Sequence, residues 1–197
     1  MRAMDGAIRQ NNRRELLLSA AARLFASKGF EATSMRDIAA AVGMMPGSLY
    51  YHFPSKDELF VAVHGAGIAG ISEAVLGALE GVSDPWKRLE AAAAAHLRAL
   101  VEGGDLSAVV TPDFPTRDAL VRQRLVAQRD AYDALFQGLI DELPLREGVD
   151  RRLLRLQLLG SLNWAPTWFR NGRRSAGAVA KAMVANLRHA LDPRGCS

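Results

Sequence analysis

Cysteine is nearly missing from this 197-residue chain; only Cys196, beside the C-terminus, is present. No intrachain disulfide can form, so the core alone must hold the fold, as expected in a reducing cytoplasm. Nowhere do ~18 apolar residues follow one another without a charge, the length a membrane helix requires. The mildest stretch, residues 60–71, is short and rich in Gly and Ala. The opening MRAMDGAIRQNNRRELLL has no apolar run before its charges, so no secretory leader is expected there. Strand-length alternation of apolar and polar residues is also absent, as are a Gly-rich phosphate loop, a G-x-S-x-G elbow and a His/Cys/Asp/Glu set at metal-ligand spacing. These gaps argue against a membrane partner, a metal, a cofactor and catalytic residues, and make an enzyme the weakest reading.

What is present is helix-forming. The chain is 49% hydrophobic and 23% charged, enough for a real core, with a formal charge of +4 that is compatible with nucleic acid without demanding it. Leu17, Ala20, Ala21, Leu24 and Phe25 recur at helical spacing up to a stop at Gly29. A second helix is expected from about Met35 to Val42, with Ser34 as N-cap and Asp37 in its first turn. Gly43 ends it, Pro46 opens a third at a position where its missing N–H is harmless, and Pro54 stops that one near Phe53. Ser55 and Glu58 have capping-box spacing and open a long helix from Lys56 to Leu79. Longer helices are expected from Asp84-Pro85 to residue 102, from 117 to 142, from 151 to 169 and from Ser175 or Ala176 to Leu191. A Gly/Pro-rich break lies at 103–116.

Two short helices around a glycine turn have the helix-turn-helix plan. Ala39 permits close approach, Gly43 suits the turn, and Ile38, Val42, Met44 and Leu49 can pin the helices together. That leaves Gly47, Ser48, Tyr50, Tyr51 and His52 outward, with side chains able to meet phosphates or base edges. The string ATSMRDIAAAVGMMPGSLYYHFPSKDELF, residues 32–60, strongly resembles the N-terminal DNA-binding domain of the tetracycline-repressor (TetR) family of bacterial regulators. That resemblance implies DNA-binding roles for Ser34, Pro46, Gly47, Ser48, Tyr50, Tyr51, His52 and Lys56. Ser48 and Tyr51 would reach bases, Tyr50, His52 and Lys56 the backbone, and Arg13 and Arg14 could extend the grip. Met45 departs from the family's Ser or Thr cap; a methionine cannot cap, and could instead touch a base methyl.

The resemblance further implies an all-α protein: an arm at 1–10, the helix-turn-helix domain at 11–56, a ligand-binding and dimerisation domain at 57–192, and a flexible tail at 193–197. In the second half, LGSLNWAPTWFRNGRRS (159–175) resembles a segment of a subgroup of these regulators, several of which respond to acyl-CoA thioesters or related acids. Asn163, Trp164, Trp168 and Arg170 could then line a pocket for an apolar ligand with an anionic head, or the two tryptophans could pack in the core or a dimer interface. Pro166 should kink their helix. Trp86, His64 and His96 are weaker ligand candidates. Gly160, Val179, Met183, Leu187 and Leu191 are the expected homodimer face. The implied function is a repressor released from palindromic double-stranded operator DNA by an acyl-CoA or lipid-like acid. A regulator controlled by a partner protein, without a small-molecule inducer, is the alternative.

Overall fold

The computed structural model describes residues 2–110, 116–170 and 172–193, with side chains from Arg13 onward. Cys196, most of the expected tail and part of the 103–116 break lie outside the described residues. Among those described, nine helices and no strand are found, grouped in two compact units.

The first unit contains α1 (Arg2–Lys28), α2 (Met35–Ala41), α3 (Pro46–His52) and the start of α4 (Lys56–Leu79). Its core is built by Leu17, Leu18, Ala21, Ala22 and Phe25 of α1, Ile38 and Ala39 of α2, Leu49 of α3, and Leu59, Phe60 and Val63 of α4. Phe25, Phe30 and Phe60 form a tight aromatic trio with ring centres 5.1–5.5 Å apart. Offset and edge-on contacts of this kind add stabilisation beyond simple burial. Thr33, buried, ties the α1–α2 turn by donating to the Gly29 carbonyl at 2.8 Å.

Two expectations change here. Helix α1 reaches back to Arg2, so the segment expected as an arm is helical; no proline stands between Arg2 and Arg13, and the lone Gly6 is tolerated. The break after residue 102 also folds: α6 (Gly104–Ala108) and the start of α7 (Ala119–Asp141) belong to the first unit, and Val109, Val121 and Leu125 enter its core. Buried Thr116 donates to the Asp57 carboxylate at 2.6 Å, and Arg124 pairs with Glu58. The first compact unit thus extends along α4 to Gly67.

The second unit holds the rest of α4 and α7 with α5 (Pro85–Glu102), α8 (Arg151–Trp168) and α9 (Ala176–Leu191). Helices α5, α8 and α9 begin on the side chains of Asp84, Asp150 and Ser175, each accepting a backbone N–H. The alanine run Ala92–Ala95 is buried and lets α9 lie close against α5. Leu154, Leu158, Leu162 and Ala165 turn inward from α8, while Phe136, Leu139 and Ile140 do so from α7. Helix α4 is the one described helix long and apolar enough to cross a membrane. Its Leu59, Phe60, Val63, Ile71 and Val75 are instead buried inside the protein.

Candidate functional site

The turn and α3 are built as their residues require. Ser34 and Asp37 form a reciprocal cap: the Asp37 N–H donates to Ser34 Oγ at 3.1 Å, and the Ser34 N–H donates to Asp37 Oδ2 at 3.0 Å. The Ser34 N–H and the Ser34 hydroxyl, which donates to the same Oδ2 at 2.8 Å, hold the exposed Asp37 carboxyl below the usual carboxylate range, the backbone bond contributing most. Gly43 takes φ +65°, the left-handed conformation that glycine adopts without a Cβ penalty. The Met44 N–H then returns to the Ala39 carbonyl at 2.8 Å, closing the turn. Pro46 starts α3; Met45 stands at the cap position in extended conformation and makes no capping bond.

Leu49 is the anchor of α3, wholly buried, and the remaining side chains of the helix face out. Tyr51 is 87% exposed, Tyr50 50% and Met45 75%, an unusual cluster of large apolar groups on a seven-residue helix. The rings of Tyr51 and His52 meet edge to face at 5.6 Å. Ser48 and Gly47 are exposed, and no atom lies within 4 Å of where a Cβ on Gly47 would stand. Pro46 is half-buried at the helix start. A surface of hydroxyls, an imidazole and apolar edges, without an acidic side chain, suits base edges and phosphates.

Lys56 is more committed than its expected phosphate role implied. Its Nζ donates to the Phe30 carbonyl at 2.8 Å and sits 4.3 Å from the centre of the Phe30 ring. It thereby fastens the start of α4 to the α1–α2 turn. Arg13 and Arg14 are exposed on α1.

In the second unit, the polar centre is one that sequence reasoning ranked low. His96 of α5 is buried, and both ring nitrogens are engaged: Nδ1 lies 2.6 Å from the Tyr132 hydroxyl of α7, Nε2 3.0 Å from Asn163 Oδ1 of α8. Because Asn163 Oδ1 can only accept, Nε2 carries the proton and the Tyr132 O–H donates to Nδ1. The imidazole also stacks on Tyr132 at 5.6 Å and meets the edge of Phe136. Burial drives the His96 pKa down to about 4, against the opposing bond to Asn163, and pushes the Tyr132 phenol up. Beside Tyr132, Asp133 pairs with Arg155 at 2.6 Å; burial nonetheless raises the Asp133 carboxyl, outweighing the arginine. Trp86 is buried, and its indole N–H has no partner among the described residues. His64 is buried as well.

The tryptophans fall elsewhere. Helix α8 runs through Pro166, and its register sends Leu158, Leu162 and Ala165 inward. Trp164 is therefore 64% exposed and Trp168 47%, on an outer face shared with Leu153, Leu156 and Gly160. Arg170 is exposed, its guanidinium bonded to the Phe169 carbonyl at 2.9 Å. All four expected ligand residues are exposed, and of them only Asn163 bonds to a buried side chain, through Oδ1 to His96. Val179, Met183, Leu187 and Leu191 are half-buried on α9.

Known proteins carry the same two parts. Residues 17–63 match the family of bacterial regulatory proteins described as the tetR family, and residues 82–191 match a tetracyclin repressor-like C-terminal domain. The HTH-type transcriptional repressor KstR2 of Mycobacterium tuberculosis is 31% identical over 170 residues, 82% of this chain and 84% of that protein. The HTH-type transcriptional activator FasR of Mycolicibacterium smegmatis is 29% identical, over 83% of this chain and 75% of that one. The crystal structure of AibR in complex with isovaleryl coenzyme A and operator DNA superposes with a TM-score of 0.76 at 27% identity, covering 88% of this chain and 97% of AibR. With its helix-turn-helix built by Ser34, Gly43 and Pro46 and both of its domains matched, the chain belongs to the TetR family of DNA-binding transcriptional regulators and is not an enzyme.

Proposed function

We propose that this regulator is a homodimeric, cytoplasmic repressor that leaves a palindromic operator when a small, largely apolar acid or acyl-CoA binds its second unit. The observation that carries the DNA half is the exposure of Ser48, Tyr50, Tyr51 and His52 around a buried Leu49. Ser48 and Tyr51 contact base edges; Tyr50, His52, Ser34 and the remaining valence of Lys56 contact phosphates, with Gly47 and Pro46 admitting close approach. Alanine in place of Tyr51 is expected to weaken binding to the selected operator about tenfold or more, while leaving binding to random duplex unchanged. A fluorescence-anisotropy titration on both duplexes measures this, and equal losses on the two would reduce Tyr51 to a backbone contact.

The outer face of α8, with Leu153, Leu156, Gly160, Trp164 and Trp168, supports pairing with a second copy together with Val179, Met183, Leu187 and Leu191 of α9. Exposed apolar side chains contiguous on one helix face mark such an interface. Two heads can then meet successive major-groove faces, roughly 34–36 Å apart. Trp164→Glu should convert the dimer to monomer in sedimentation velocity and abolish tight operator binding. A variant that stays dimeric would remove α8 from the interface.

AibR's isovaleryl coenzyme A supports the effector class. Asn163, backed by His96 and Tyr132, offers a hydrogen-bonding pole, and Arg170 a cation for a carboxylate or phosphate. An effector acts only through a difference in affinity between the DNA-bound and released states. Titration of the protein–operator complex with isovaleryl-CoA, longer acyl-CoAs and the free acids tests the reading: release by none of them would overturn it.

A further inference from the structure

We propose that Met45 is a specificity-determining residue that reads the C5-methyl group of a thymine in the operator's major groove. The proposal rests on the reading of α3 as the base-reading helix.

The physical case begins with a side chain that the fold does not use. Its neighbour Met44 is packed against the core of the first unit, whereas Met45 is 75% exposed. It stands where a hydroxyl would cap α3, and it makes no capping bond, so that the helix start rests on Pro46. A large apolar side chain that neither caps the helix nor is buried is free to meet a partner outside the chain. Spacing then places it: Met45, Ser48 and His52 follow one another at i, i+3 and i+7, along the edge of the exposed face that also carries Tyr51. No atom lies within 4 Å of where a Cβ on Gly47 would stand, so the helix backbone itself can approach a groove floor.

The chemistry of the groove supplies the complement. Base edges there present hydrogen-bond donors and acceptors, which a thioether serves poorly, and one apolar group, the methyl of thymine. A long, unbranched and polarisable side chain adapts its shape to such a methyl. Removing one buried methyl contact corresponds to about fourfold in affinity.

The test uses the full-length protein and an operator it selects from random duplexes. Each thymine is replaced in turn by deoxyuridine, which deletes the methyl and preserves every hydrogen-bonding group. At one thymine of each half-site, the wild type is expected to lose about fourfold per methyl. Met45→Ala should bind the thymine operator more weakly by the same factor and be indifferent to uracil at that position, while Met45→Leu should restore the sensitivity. Met45→Ser, which can cap α3, should be indifferent to the methyl while melting no earlier than the wild type, separating reading from folding. A uracil effect of equal size in wild type and Met45→Ala, or no sensitive thymine at all, overturns the proposal. Tyr51→Ala run alongside distinguishes the two levels. If it alone alters base preference, α3 still reads DNA and Met45 does not; if neither variant does, both readings fall.

Discussion

Adding a single methyl at Gly67 is expected to lower the melting temperature by roughly 5–10 °C, corresponding to about 2–3 kcal/mol in a chain of this size. A Cβ there would stand 2.5 Å from the carbonyl oxygen of Leu106 and 2.6 Å from a methyl of Val110. The first of these is backbone and cannot rotate away. Gly67 is the point at which α4 touches α6 and Val110 just beyond it, so relief requires residues 105–110 to lift from the core that Val109 helps to fill. The control lies three residues further along the same helix. A Cβ on Gly70 meets nothing within 4 Å, and alanine there should stabilise by up to ~1 kcal/mol through its better helix propensity. Thermal melts of Gly67→Ala and Gly70→Ala should therefore move in opposite directions. Equal shifts would mean that the close approach is not maintained in solution.

Acid should act on the second unit through His96. In the unfolded chain this imidazole takes up a proton near pH 6.5, in the folded one near pH 4. Between those values the unfolded state binds more protons, so stability falls as the pH drops through that window and is level above it. The span between the two values corresponds to about 3 kcal/mol once the acid end is reached. Urea unfolding at a series of pH values from 8 to 4 measures it. His96→Gln, which can still bond to Tyr132 and Asn163 but does not titrate, should cost stability at pH 8 through lost ring packing against Phe136 and flatten the acid limb. Parallel acid limbs in the two proteins would assign the loss to other groups.

Local chemistry was legible wherever one residue sets its own neighbourhood. The cap at Ser34, the turn at Gly43, the start at Pro46 and the end of α3 at Phe53 each follow from a single side chain or its absence. Contacts between distant segments were not. Thr116 meets Asp57 across 59 residues and Arg124 meets Glu58 across 66, so no periodicity reveals that the start of α7 completes the first unit. His96 reads as an isolated histidine until Tyr132 and Asn163, 36 and 67 residues away, are brought to its ring. The tryptophan pair was visible, but its direction was not. Trp164 and Trp168 share a helical face in the sequence, and only the inward register of Leu158, Leu162 and Ala165 decides that this face looks out. The helix at 104–108 and the start of α1 show the same limit: weakly apolar sequence can be helical where no proline interrupts it.

The makeup of α3 has a thermodynamic consequence. Its sequence, PGSLYYH, contains no lysine or arginine, and Lys56 beside it has already directed its ammonium toward Phe30. On the proposed reading, most charge neutralisation of the duplex, and the counterion release with it, would come from cations outside the recognition helix, the exposed Arg13 and Arg14 with the remaining N–H of Lys56. Since any duplex offers those phosphates, raising the salt weakens the hold on all sequences by one common factor. The ratio by which an operator is preferred over bulk chromosome, made by neutral contacts, is left nearly constant. On that reading, the repressor's selectivity would be insulated from the ionic strength of the cell, even as its occupancy follows it.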